Sequence, residues 1–203
     1  MTKKPSEVAS DKVVPCIKAI VSHIEDTASQ LDKKNIEKMI KVLFKVNRIF
    51  LMGAGRSGLV ARAFAMRLMH LGFNVYFVGE TTTPSVKKND AVVAISGSGE
   101  TLSITNLAKI AKELGATIIA ITSEPDSTLG KLSDVMLVVK GRKKVTIEDY
   151  MERRMRGEYK SLAPLGTLFE ITSLILLDAV IAQLMALTGK SEIDMKEMHA
   201  VLE

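Results

Sequence analysis

Tryptophan is absent from these 203 residues, and phenylalanine and tyrosine bring the aromatic share to only 4%. That scarcity argues against a single-strand nucleic-acid platform, which stacks bases on aromatic rings. Cysteine is reduced to Cys16. One thiol excludes an intrachain disulfide and a cysteine-rich metal centre, and it gives no sign of an oxidising compartment. The histidines His23, His70 and His199 are too scattered in sequence to suggest a zinc site, so no metal is expected. The longest apolar stretch, 171–187, is broken by Thr172, Ser173, Asp178 and Gln183. It reads as a core or interface helix, and no membrane partner is expected. The first eleven residues are polar, without the apolar segment of a secretory signal, so the expected location is the cytoplasm. The net charge is +5, yet no helix-turn-helix or zinc-finger pattern accompanies it. The excess charge then reads as an attraction for anionic substrates, with no nucleic-acid partner.

What is present alternates. Hydrophobic residues make up 47% and charged residues 25%, the balance of an ordinary soluble α/β domain. Apolar residues recur at helical spacing over 13–30 and 35–46, then over 57–71 and 102–114. Short β-rich runs lie between and after them at 48–52, 73–78, 91–95, 117–122 and 135–139. A short helix is expected at 127–133, a long one from Thr167 to Leu187, and a last one over 191–199. This order predicts a five-stranded parallel sheet with helices on both faces, a flavodoxin-like three-layer sandwich. The whole of 1–203 reads as one domain, with two helices before the first strand and further helices at the C-terminal end. Right-handed crossovers place the turns after the strands along one rim. The charged segment 141–160 reads as a solvated excursion or an oligomer contact.

Two turns on that rim carry chemistry. Ser96-Gly97-Ser98-Gly99-Glu100-Thr101 follows an apolar strand and opens a helix. Glycines let backbone N–H groups approach an anion, the helix start adds free donors, and Ser96, Ser98 and Thr101 add hydroxyls. No lysine lies in the turn, so it is not a Walker-type loop. A small phosphorylated ligand fits better than a nucleoside triphosphate with magnesium. The bland alternative is a capped βα turn without a ligand. Gly53-Ala54-Gly55-Arg56-Ser57-Gly58 matches the dinucleotide-binding pattern, with Glu80 downstream as a ribose-binding acid. Two preceding helices, the bulk of Arg56 and the second phosphate-competent turn speak against NAD, and no cofactor is expected. Arg56 and Ser57 can instead reach a ligand shared with the 96–101 turn.

These motifs, with Val78-Gly79-Glu80-Thr81-Thr82-Thr83-Pro84, Pro164-Leu165-Gly166-Thr167-Leu168-Phe169-Glu170 and the terminal His199, resemble the sugar isomerase (SIS) domain family, and within it the 6-phospho-3-hexuloisomerases. The likeness runs from about Arg48 to the C-terminal end. Two positions depart from the pattern: Met198 and Val201 stand where members often carry Arg and Asn.

The resemblance implies interconversion of a 3-hexulose 6-phosphate and fructose 6-phosphate through a cis-enediol, without metal or redox cofactor. It implies substrate binding by Arg56, Ser57, Ser96, Gly97, Ser98, Gly99, Glu100 and Thr101. It implies Glu170 as the base, where the residue alone reads equally as a first-turn acid favouring the helix dipole. It makes His199 a second catalytic group, in its own subunit or, as a terminal residue can, in a neighbouring one, against the plain reading of a surface histidine near a chain end. His23 and His70 read as structural. A homo-oligomer, a tetramer by preference, is expected, because the apolar residues of 171–187 cover more than one side of their helix. Isomerisation of arabinose 5-phosphate or sedoheptulose 7-phosphate, and non-enzymatic phosphosugar sensing, stay open as alternatives.

Overall fold

A computed structural model describes residues 12–141 and 163–199. Five strands form one parallel sheet: β1 (Ile49–Gly53), β2 (Val75–Phe77), β3 (Ala91–Ile95), β4 (Thr117–Thr122) and β5 (Val135–Val138). Their order is β2-β1-β3-β4-β5. The helices are α1 (Val13–Ser29), α2 (Lys33–Lys45), α3 (Gly55–His70), α4 (Leu102–Glu113) and α5 (Thr128–Leu132), followed by α6 (Thr167–Thr188) and α7 (Glu192–Glu197).

The strands are apolar on both faces because both are covered. Ile49, Leu51, Val93, Ile95, Ile119 and Ile121 point to one side and pack with α2, α3, α6 and α7. Phe50, Met52, Val92, Ala94, Ile118 and Ala120 point to the other and pack with α4 and α5. Period-two alternation thus sorts one sheet into two cores. The expected three-layer arrangement is present.

The boundaries of β3 and β4 coincide with the expected ones. The expected second strand, 73–78, contracts to three residues, because β2 is an edge strand paired only with Ile49, Phe50 and Leu51 of β1. Helix α2 begins two residues earlier than expected, where Asp32 accepts hydrogen bonds from the N–H groups of Lys34 and Asn35. The reading of 141–160 falls, apart from Gly141, outside the described residues.

Helix α6 is long and apolar enough to cross a membrane by length and composition. In the fold it lies in the α2–α3 layer, with Phe169, Leu176, Leu177, Val180, Ile181 and Leu184 buried in the core. Helix α1 is the opposite case: Val13, Val14, Ile17 and Val21 are each between 47% and 59% exposed.

Candidate functional site

Strand order reverses between β1 and β3, so the chain leaves the sheet in opposite directions there and opens a crevice above the strand ends. Gly53 at the end of β1 is the register partner of Ile95 at the end of β3. The two glycine-rich turns are therefore neighbours by construction of the sheet.

The first turn is held by backbone contact. A Cβ on Gly53 would stand 2.7 Å from the carbonyl oxygen of Ser57, and one on Gly58 would stand 2.7 Å from that of Gly53. Strand and helix touch there at main-chain distance, which only glycine permits. Arg56 is exposed and Ser57 half-buried at the start of α3. Glu80 pairs with Arg62, whose guanidinium lies 3.8 Å over the Phe77 ring. That contact ties the turn after β2 to α3.

The second turn packs against the segment after β4. The Gly97 carbonyl accepts from the Ser123 N–H at 3.0 Å and the Ser123 hydroxyl at 2.6 Å. The Gly99 carbonyl accepts from the Leu129 N–H at 3.0 Å. Ser96 is buried, and its hydroxyl is 3.1 Å from that of Thr101. Thr101 caps α4 without spending its side chain on the helix. The first-turn N–H groups of α4 and the exposed Ser98 thus form a donor set at a helix start. Both carboxylate oxygens of Glu100 accept from Thr128, at 2.7 Å each. Glu100, expected to bind substrate, is thus tied to the start of α5 in this structure.

Helix α6 brings the carboxylate. Gly166 precedes it with φ +83°, a left-handed turn that aims the first helical turn. The Phe169 ring lies against Gly97, where a Cβ would stand 3.1 Å from the ring. That contact seats the start of α6 beside the β3 turn. Glu170 pairs with the guanidinium of Arg56, 114 positions away in sequence; the arginine side chain is 57% exposed and the carboxylate 13%. Arg56 and Glu170 line a small cleft of about 180 Å³ with Leu59, Val60, Ala63 and Leu174. A larger groove of about 850 Å³ between α2 and α6, floored by Ile36, Ile40, Phe44 and Leu187, shares no residue with either turn.

His199 is elsewhere. Its ring lies 4.5 Å from that of His70, in a cavity of about 440 Å³ shared with Arg67, Asp178, Glu192 and Lys196. His70 ends α3 and Arg56 is near its start, so about 21 Å of helix separate them. The structure does not bring His199 to Glu170 within one protomer. Among the described residues, no group of three His, Cys, Asp or Glu side chains is placed to hold a metal ion. Sequence reasoning named Arg56 and Glu170 separately but not their pairing, and it missed Phe169 as a wall of the turn. The Pro164-to-Glu170 run was the available signal, since a glycine before an apolar helix start marks a specific entry angle.

A family model for the SIS domain matches residues 42–150. An uncharacterized protein of Archaeoglobus fulgidus is 45% identical over 187 residues, covering 92% of this chain and 98% of its own. The 3-hexulose-6-phosphate isomerase of Bacillus subtilis is 38% identical over 192 residues, covering 95% and 100%. A crystal structure from Methanococcus jannaschii superposes with a TM-score of 0.76 at 36% identity, over 94% of this chain and 98% of that one. Its description infers a molecular function of 3-hexulose-6-phosphate isomerase.

Proposed function

The chain belongs to the SIS-domain family, and on that premise we propose that it is a phosphosugar isomerase, acting as one domain over its full length, that interconverts 3-hexulose 6-phosphate and fructose 6-phosphate. The observation that carries this reading is a carboxylate and a phosphate-competent turn meeting at one crevice. Phe169 rests on Gly97, and Glu170 follows it in the chain.

The phosphate is held by Ser96, Gly97, Ser98, Gly99 and Thr101 with the first-turn N–H groups of α4. Glu170 removes the proton from C2 of the 3-ketose. The electron pair forms the C2–C3 double bond of an enediolate, with its negative charge on the C3 oxygen. That oxygen takes up a proton as the C2 hydroxyl gives one up, and Glu170 returns the carbon-bound proton to C3. One carboxylate working on one face gives a cis-enediol, and no electrons leave the sugar. Arg56 directs Glu170 before substrate arrives, and its exposed guanidinium is a cation available to the developing oxyanion. Ser57, next to it in the chain at the start of α3, is a further substrate contact in this reading. A role for His199 requires an assembly in which the C-terminal helix of one subunit reaches the rim of another.

The relatives named 3-hexulose-6-phosphate isomerase support this substrate over other phosphosugars. The test is a coupled assay supplying 3-hexulose 6-phosphate and reading fructose 6-phosphate. The parent protein turns over, and Glu170→Gln lowers kcat by a factor on the order of 10²–10⁴, the usual contribution of a positioned acid–base group. No turnover by the parent protein overturns the reading. Near-parental turnover by the glutamine variant removes Glu170 as the base.

A further inference from the structure

Glu100 sits inside the turn that the proposed function gives to a phosphate, and this inference rests on that reading. A carboxylate beside a phosphate dianion repels it. Here both carboxylate oxygens are engaged: Oε1 accepts the backbone N–H of Thr128, and Oε2 accepts the Thr128 hydroxyl, each at 2.7 Å.

The surrounding contacts show what that engagement does. The segment after β4 grips the 96–101 turn at three successive points. The first is the Gly97 carbonyl, held by Ser123. The second is the Gly99 carbonyl, held by the N–H of Leu129. Gly99 has φ +63°, and a Cβ there would overlap the Ser127 hydroxyl, so this point tolerates only glycine. The third is Glu100 on Thr128. The second grip is made by backbone groups alone, and the first has a backbone bond beneath its side-chain one. The third depends on the Glu100 side chain, and it is two-pronged, which fixes direction as well as distance.

We propose that Glu100 is a positioning residue of the phosphate turn. Its side chain does not contact the sugar phosphate. It anchors the second half of the turn to the start of α5 and spends its charge there, so that Ser98, Thr101 and the first N–H groups of α4 keep their donor geometry toward the anion. The role requires a carboxylate-shaped acceptor in contact with Thr128, not a negative charge at the substrate.

The test uses the full chain and three variants: Glu100→Ala, Glu100→Gln and Thr128→Val. Two readouts are taken, steady-state turnover of 3-hexulose 6-phosphate and the shift in thermal midpoint produced by inorganic phosphate. Glu100→Ala raises KM roughly tenfold, as expected for loss of a charge-assisted hydrogen-bond pair. It weakens the phosphate-induced shift in parallel and leaves kcat within about twofold. Thr128→Val, which removes one prong and keeps the N–H, gives a smaller change of the same kind. Glu100→Gln, whose amide can accept from the Thr128 N–H and donate to its hydroxyl, recovers most of the parental KM. A glutamine variant as impaired as the alanine variant means that the charge itself serves the substrate, and it overturns the proposal. An alanine variant with parental KM and phosphate response, or with tighter phosphate binding, overturns it as well. If inorganic phosphate neither shifts nor inhibits the parent protein, the phosphate assignment of the turn falls and this inference with it.

Discussion

Ser98 and Thr101 differ from Glu100 in that each offers a hydroxyl on the turn that the fold leaves largely unspent. Among the described residues Ser98 accepts only the Glu100 N–H, at 3.2 Å, and Thr101 exchanges a hydrogen bond with Ser96. Changing either to alanine is expected to weaken substrate binding by about 1–3 kcal/mol, the range for a hydrogen bond to a charged group. Michaelis constants of the two variants, measured with inorganic phosphate as competitor, check this, and parental values in both would remove the turn from the site. These residues were legible in the sequence because their chemistry is local: six consecutive positions supply glycines, hydroxyls and a helix start. The Arg56–Glu170 pair was not, because it joins positions 114 apart and local patterning says nothing about such a distance. The position of His199 was not legible for a related reason. A histidine near a chain end has the right chemistry for proton transfer, but its location depends on where α7 docks. It docks beside His70, at the far end of α3.

Secondary-structure elements were more legible where both faces are buried. Continuous apolar runs bounded by polar turns fix β3 and β4 to the residue, whereas the edge strand β2 loses half its expected length. Burial also changes which apolar surface is left open to a second copy. Eight residues of α6 are buried within the protomer itself, which accounts for much of its apolar circumference. Helix α1 instead presents Val13, Val14, Ile17 and Val21 to solvent, and only Thr27 of its 17 residues is buried. An apolar stripe left open on a helix is a surface that calls for cover. Sedimentation is expected to show an assembly at micromolar concentration, and Ile17→Asp is expected to weaken it; a stable parental monomer would contradict this. At the other end, α7 begins with a reciprocal cap between Ser191 and Asp194. Hydrogen bonds from the Ser191 hydroxyl, then its backbone N–H, hold the Asp194 carboxyl below its ordinary value. A carboxyl lowered on folding stabilises the folded form above its ordinary range, and this contribution is lost as the pH falls through the lowered value. Protection of the α7 amides, measured against their intrinsic exchange rate at each pH, is therefore expected to fall on acidification before that of β3 does. An equal fall in both would show that the cap has no local effect.

The molecule as a whole was readable as far as its sheet. Five β-rich runs separated by helices leave few arrangements once crossovers are right-handed, and the observed order is one of them. What the pattern did not contain is where α6 would lie, since an apolar helix has no preferred neighbour until the rest of the core is formed. Its first turn closes the crevice through Phe169 on Gly97. The consequence is thermodynamic. The proposed site is assembled from 53–58, 96–101 and Glu170, three stretches that share no local structure, so no fragment of the chain would possess it. A ligand that needs all three binds only the completed fold, and the binding free energy becomes a property of the global unfolding equilibrium. At a hundredfold excess over its dissociation constant such a ligand adds about 2.7 kcal/mol to unfolding. Fructose 6-phosphate is expected to raise the midpoint of a single cooperative transition, and to slow exchange at Val93 in the central strand β3 as much as at the rim. Protection confined to the rim would mean that the crevice can open while the sheet stays folded.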